Sequence, residues 1–387
     1  MILNNVQLMD GQTVSIRVKE GKIAGIFDVP LAAKDCPQAM FFNALIFPGL
    51  INSHDHLDFN LFPKLGTQKY ANYTEWGRHI HEAYAAEIAA VQKIPQHLRE
   101  QWGIYKNLIC GVTTVVNHGE HQVMGDKLIS VFEATQDLHS VQFEPHWKRR
   151  LNNPLKIHLP VAIHTGEGTN AAARHEVEQL ISWNLLHRKL VGIHGVALTP
   201  TLAKSFAALV WCPQSNYFLL GVTAPVQHLK KHTRILFGTD STLTSDWDIW
   251  EHIRTARGTG MLKDEELYDA LTLNAAETWK LNCGRIALGL DADLVIVKTR
   301  PDSSPIDNFY GTKPEDILMV MHKGNIRLFD QSLYHQLTDI PLNQFSKLYV
   351  GRGIKYIQGD LQGLMAAIRQ YKADAQFPVY HPSEPAA

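Results

Sequence analysis

Two histidines two positions apart, His54 and His56, close the apolar run Phe47-Pro-Gly-Leu-Ile-Asn-Ser. Alternate side chains of a strand share a face, so both imidazoles point one way and Asp55 the other. Such a pair is half of a metal site. Three later apolar runs end in the same manner: Val161-Ala-Ile-His164, Leu190-Val-Gly-Ile-His194 and Ile235-Leu-Phe-Gly-Thr-Asp240. A lone histidine after an apolar run is more often a core residue. Four runs obeying one rule make coincidence a poor account. Three histidines plus a carboxylate, with a position left for water, suit a catalytic divalent metal. Glu167 follows in His164-Thr-Gly-Glu167-Gly, where the glycine ends the strand and lets the carboxylate curl over the mouth. There it is placed to shuttle protons; the alternative is a cap for the helix opening near Asn170.

Short apolar strands alternating with helical stretches are the pattern that brings such residues together, as β/α units around a parallel sheet. Strands are expected near 45–52, 113–117, 140–144, 160–164, 191–194, 208–212 and 235–239. Helices are expected over 96–110, 127–134, 171–186, 200–206, 247–255 and 264–281. Seven strands are one short of a closed eight-strand barrel. Residues 1–45 instead alternate apolar and polar positions around turns at Asp10-Gly11 and Glu20-Gly21, and this texture returns at Ala292–Val297 and Ile317–Leu328. The organisation expected is a β-sandwich from 1–46 plus 284–330, a barrel over 47–283, and a C-terminal extension, 331–387, with a helix at 361–371 and a loose Pro-rich tail.

The bulk composition narrows the function. With 387 residues, 45% hydrophobic, 19% charged and a formal charge of −1, the chain reads as an ordinary globular enzyme-sized protein. A near-neutral balance gives no footprint for nucleic acid or an anionic membrane. The first ten residues lack a basic leader and a sustained apolar run, so a cytoplasmic location without a secretion signal is expected. No apolar stretch approaches the roughly 18 residues that span a bilayer. The four cysteines form no Cys-x-x-Cys pair, which leaves nitrogen and carboxylate as the metal donors.

The motifs Phe47-Pro-Gly-Leu-Ile-Asn-Ser-His-Asp-His56, Gly111-Val-Thr-Thr114, His164-Thr-Gly-Glu167 and Ile193-His-Gly-Val-Ala-Leu198 occur in one order. Trp211-Cys-Pro-Gln-Ser-Asn216, Gly238-Thr-Asp-Ser241 and Gly289-Leu-Asp-Ala-Asp-Leu-Val-Ile-Val297 continue it. This series resembles the amidohydrolase superfamily, in particular its deaminase and chlorohydrolase branch of guanine, adenosylhomocysteine and triazine hydrolases. The resemblance implies a distorted TIM-type (β/α) barrel with a β-sandwich. It implies that His54, His56, His164 and Asp240 hold one divalent ion, with Glu167, His194 and Asp240 working on water and substrate. Zinc is the expected ion, iron and manganese also suiting nitrogen and oxygen donors. The implied reaction is hydrolytic deamination of an amino-substituted nitrogen heterocycle, a small-molecule substrate, by a chain that is commonly a homodimer.

Two departures from that pattern bear on the chemistry. Thr114 and His164 are only 50 residues apart, where relatives place two full β/α units, so one unit reads as deleted. In the remaining strand, Phe143-Glu144-Pro-His146-Trp147 resembles the segment whose histidine faces substrate. His146 and Trp147 are therefore candidate substrate contacts, with His118 and Asn216. The same segment offers Glu144 as a bridge between two metals, which would suit amide or cyclic-imide hydrolysis. A catalytically inactive metal-binding subunit is the remaining alternative. Trp76 and Trp247 are flat surfaces a heterocycle could stack on, Glu120 and His121 could line the mouth, and Lys148-Arg-Arg150 reads as a solvated charge run.

Overall fold

The computed structural model describes residues 1–32, 36–119 and 128–380. Its centre is a set of eight parallel strands in the order of a distorted TIM-type barrel. The first three are Leu50–Asp55, Val112–Asn117 and Ser130–Phe132, which pair into one arc. Gln136–Ser140, Val161–Thr165, Leu190–His194, Ala208–Trp211 and Arg234–Phe237 form the second arc. Register is tight where the site lies: His164 stands opposite Ile193 on one side and Ser140 on the other.

The two arcs meet at one seam through the ends of the first and last strands. The amides of Thr239 and Asp240 both donate to the His54 carbonyl at 3.1 Å, and Thr239 N–H also donates to Asn52 Oδ1 at 3.1 Å. Gly238 makes this approach possible, since a Cβ there would lie 2.8 Å from that of His54. At the other seam no ladder joins Ser130–Phe132 to Gln136–Ser140 among the described residues. Only Glu133, Ala134 and Thr135 link those strands. Parallel neighbours need a crossover of a dozen or more residues, so a three-residue link cannot set them side by side.

This region corrects the sequence reading. Two strands, not one, lie between Thr114 and His164, and the missing piece is the intervening helix. The helix expected at 127–134 is replaced by the strand Ser130–Phe132, because Ile129, Val131 and Phe132 form a run too short and too β-prone for a helix. The strand expected at 140–144 lies four residues earlier, at Gln136–Ser140. Its single buried apolar residue, Leu138, gave a weaker alternation than Val141-Gln-Phe143, which is a turn.

The expected run 45–52 is split at Gly49. Ala44–Pro48 belongs to a second, mixed sheet, while Leu50–Asp55 enters the barrel. A Cβ on Gly49 would lie 2.2 Å from Thr113 Oγ1, so only glycine lets the chain pass here. In the mixed sheet Ala44–Pro48 pairs antiparallel with Leu294–Lys298, which joins the strands before the barrel to those after it. That sheet has eleven strands and continues past Asp330 through Phe345–Val350, Gly353–Gln358 and Val379–Tyr380, strands the sequence reading did not single out. The helix Leu361–Tyr371 follows them, and the Pro-rich end from residue 381 lies outside the described residues. No helix among the described residues is long and apolar enough to cross a membrane.

Candidate active site

Behind the first strand lies the polar group that orients it. Asp55, turned away from His54 and His56, meets Lys106 Nζ at 2.9 Å and accepts from Asn107 Nδ2 at 2.8 Å and Asn60 Nδ2 at 2.9 Å. Lys106 and Asn107 come from the helix Gln96–Ile109, which packs against the turn Leu57–Phe59 that follows this strand and against its neighbour Val112–Asn117. All four of these side chains are buried. The network pins the strand end with the two histidines facing the barrel mouth.

There the strand ends converge. The imidazole centroids of His54 lie 4.9 Å from His56, 4.9 Å from His164 and 5.8 Å from His194. His164 Nε2 faces His56 Nε2 at 3.4 Å, and its Nδ1 is paired at 2.7 Å with the His139 carbonyl, an acceptor that keeps the Nε2 lone pair free. Asp240 Oδ1 lies 3.7 Å from His54 Nε2 and 3.8 Å from His56 Nε2. Its Oδ2 accepts from Ser215 Oγ at 2.7 Å and Thr244 Oγ1 at 3.1 Å. His194 Nε2 is 3.6 Å from Glu167 Oε1 and 4.0 Å from Asp240 Oδ2. His194 and Asp240 both hold left-handed backbone conformations, with φ of 71° and 59°, where their strands turn sharply into the mouth.

The donor set fits a cation. Candidate ligand atoms of His54, His56 and Asp240 lie within 4.8 Å of one another, as do those of His54, His164 and His194. The Nε2 of His54 is buried at the centre of the cluster and has no hydrogen-bond partner among the described residues. Burial, reinforced by neighbouring imidazoles, holds His54 and His164 well below the usual histidine range, so their lone pairs are free. Burial alone would raise Asp240, but His194, His56 and the hydrogen bond from Ser215 outweigh it and keep the carboxylate ionised. Glu167 goes the other way. Burial, then the charges of Asp240 and Glu176, push it well above the ordinary carboxylate range, which favours its protonated form.

Burial of neutral histidines also sets how metal-free protein responds to acid. Burial pushes His252, outside this cluster, down to about 4. The unfolded chain takes up that proton near pH 6.5, so the stability from keeping His252 neutral is full above 6.5 and lost as pH falls toward 4. The urea midpoint of metal-free protein is expected to fall across that window. A midpoint flat from pH 7 to 4 would contradict this reading.

Above the cluster opens a cavity of about 510 Å³. Its floor is His56, His164, Glu167, His194 and Asp240, and its walls include Phe59, Phe62, Trp76, Ile80, Ile88 and Leu243. One wall is made by the helices Tyr73–Ala83 and Ala85–Gln92, which the sequence reading passed over. Their signal was present: the Asn72 side chain accepts from Glu75 N–H, and Glu75 reaches back to the Ala71 N–H. His139 also lines the cavity and was missed because its strand was placed four residues late.

The remaining candidates fall elsewhere. His146 is exposed, at the left-handed entry to the short helix Trp147–Leu151, and Trp147 is buried; neither lines the cavity. With the strand ending at Ser140, the chain has turned away before reaching them. His118 is buried against His164, centroids 4.4 Å apart, behind the cluster rather than in the cavity. Asn216 lies within 2.9 Å of His194 Nδ1 instead of facing a substrate. Glu144 is ion-paired with Arg150 and accepts from the His139 N–H, and it is not among the clustered ligand atoms. Trp76 lines the cavity, whereas Trp247 borders a neighbouring hollow. Lys148 covers the Trp183 ring at 4.1 Å. Glu120 and His121 lie outside the described residues.

Residues 148–327 match the model of the amidohydrolase family. A 5-methylthioadenosine/S-adenosylhomocysteine deaminase of Pyrococcus abyssi is 27% identical over 177 residues, 41% of this chain and 42% of that protein. The alignment thus spans about two fifths of that relative's length. The fold is similar to a zinc-bound adenosine deaminase of Xanthomonas campestris, with a TM-score of 0.70 and 18% identity over 96% of this chain and 97% of the other. It is also similar to a guanine deaminase of C. acetobutylicum, with a TM-score of 0.63 and 16% identity over 84% and 99%. The family match thus runs through the second half of the barrel, and the fold is shared along nearly the whole chain.

Proposed function

We propose that this chain is a metal-dependent hydrolytic deaminase of an amino-substituted nitrogen heterocycle, with His54, His56, His164 and Asp240 as ligands of one divalent ion. The observation that carries this reading is the convergence of His54, His56, His164 and Asp240 with Glu167 and His194 on the floor of an apolar cavity, with Asp240 held below and Glu167 above the ordinary carboxylate range. Two carboxyl groups driven apart in pKa are suited to opposite proton duties. Zinc is the ion we favour, consistent with an all-nitrogen-and-oxygen donor set.

A divalent ion in this donor set would supply Lewis acidity, lowering the pKa of a water toward neutrality. The rest is done by the protein. Asp240, ionised, accepts the proton of the attacking water. Glu167 delivers its proton to a ring nitrogen, which draws electrons from the adjacent carbon and opens it to addition. His194, with Nε2 facing Glu167 and Asp240, hydrogen-bonds the incoming oxygen. The proton collected by Asp240 then leaves with the amine, and the proton left on the added oxygen returns to Glu167 as the carbonyl forms, so that water and the amino compound give a carbonyl compound and ammonia. Phe59, Phe62 and Trp76 present flat or apolar surfaces to the ring and keep bulk water out.

A single ion is favoured over two because Glu144, the candidate bridge, is already engaged by Arg150. The test is ammonia release from a panel of aminopurines, aminopyrimidines and aminotriazines, with metal content measured on the same sample. Release that depends on the metal, at one equivalent per chain, is expected. Inertness of the whole panel at full metal loading would overturn the activity, and two tightly held equivalents would overturn the single-ion site.

A further inference from the structure

Behind His194 runs a chain of buried hydrogen bonds with only one consistent direction. Trp211 Nε1–H, a group that can only donate, lies 2.7 Å from Thr223 Oγ1. Thr223 Oγ1 lies 3.2 Å from Asn216 Oδ1, and Asn216 Nδ2 lies 2.9 Å from His194 Nδ1. His194, Asn216 and Trp211 are almost fully buried and Thr223 nearly so. Because Thr223 receives the indole proton, its own hydroxyl proton needs another acceptor. Among the described residues the acceptor paired with it is Asn216 Oδ1. Turning the amide over would set its NH₂ against a hydroxyl already holding the indole proton, and would strand the hydroxyl proton in the core. Oδ1 therefore faces Thr223 and the amide NH₂ faces His194.

We propose that Trp211, Thr223 and Asn216 are positioning residues that fix the tautomer of His194, with Nδ1 as acceptor and the proton on Nε2. This rests on the function proposed above and gives His194 its part in it. His194 presents a donor, not a lone pair, toward Glu167 and Asp240, so it serves an oxygen or leaving group on substrate and is not a ligand of the ion. His164 is wired in the opposite sense, since its Nδ1 meets the His139 carbonyl, which can only accept. Two histidines at equivalent strand ends, with ring centroids 5.3 Å apart, are thus assigned different tasks by what stands behind each.

The test is long-range ¹H–¹⁵N correlation on the metal-free full chain with ¹⁵N-labelled histidine, His194 being assigned by its loss in His194→Asn. The wild type is expected to show the Nε2–H tautomer. Asn216→Asp, near-identical in shape but able only to accept, is expected to move the proton to Nδ1 and lower kcat about 100-fold with KM unchanged. Thr223→Val is expected to mix the tautomers, and Thr223→Ser to restore the wild-type spectrum. Thermal unfolding checks that each variant is folded. A wild-type Nδ1–H signal, or an Asn216→Asp spectrum unchanged from wild type, would overturn the relay. The spectrum is read without metal or substrate, so an Nε2–H signal in a chain that deaminates nothing would leave the relay standing and remove the proposed activity instead.

Discussion

Glu167→Gln is expected to lower kcat about a thousandfold while leaving metal content and folding intact. Positioned acid–base groups contribute typically 10²–10⁴-fold, and here one carboxyl is asked to deliver a proton that nothing else on the cavity floor is placed to supply. An amide has nearly the same shape and is neutral, so the substitution adds no buried charge. It removes only the transferable proton. A thousandfold loss corresponds to about 4 kcal/mol of transition-state stabilisation. The pH profile follows from the same environment. The working form has Glu167 protonated and Asp240 ionised, so activity falls on the alkaline side as Glu167 loses its proton and on the acid side as Asp240 gains one. The alkaline limb should vanish in Glu167→Gln. A variant within tenfold of wild-type kcat would show that Glu167 is not the acid.

The second large effect is on stability. Lys106→Met removes the partner of Asp55 and leaves a carboxylate with no exposed surface to ionise without a counter-charge. Breaking a buried pair this way typically costs 3–5 kcal/mol, more than most single substitutions. The cost should be largely recovered in Lys106→Met/Asp55→Leu, because an apolar replacement of both partners removes the unpaired charge. Urea unfolding of the three proteins checks this, and a single variant within about 1 kcal/mol of wild type would contradict it. Metal affinity should fall in the single variant too, since Asp55 lies between His54 and His56 and fixes the strand that carries them.

What the sequence disclosed, and what it did not, follows from how far each feature depends on neighbours in the chain. The strand-end positions of His54, His164, His194 and Asp240 are local facts, each an apolar run followed by a polar residue, and they converge in the fold. Asp55 facing away is equally local. The three-residue link after Phe132 was hidden because two short strands with one buried apolar residue each hold too little periodicity to be told from a helix or a turn. That error moved attention from His139 to His146. The cavity wall at Tyr73–Gln92 was hidden for another reason: its capping residues were legible, but nothing in the chain says that this insertion folds over the mouth. Asn216 was recognised as a candidate without its role, which depends on Trp211 and Thr223 meeting it in space.

The left-handed backbone at His194 and Asp240 bears on whether this chain could be a dead remnant. A residue with a side chain held there is disfavoured by roughly 1–2 kcal/mol, and glycine would relieve that burden at either position. An imidazole and a carboxylate stand at these two turns, where the left-handed backbone aims both side chains into the mouth, the placement that their proposed duties require.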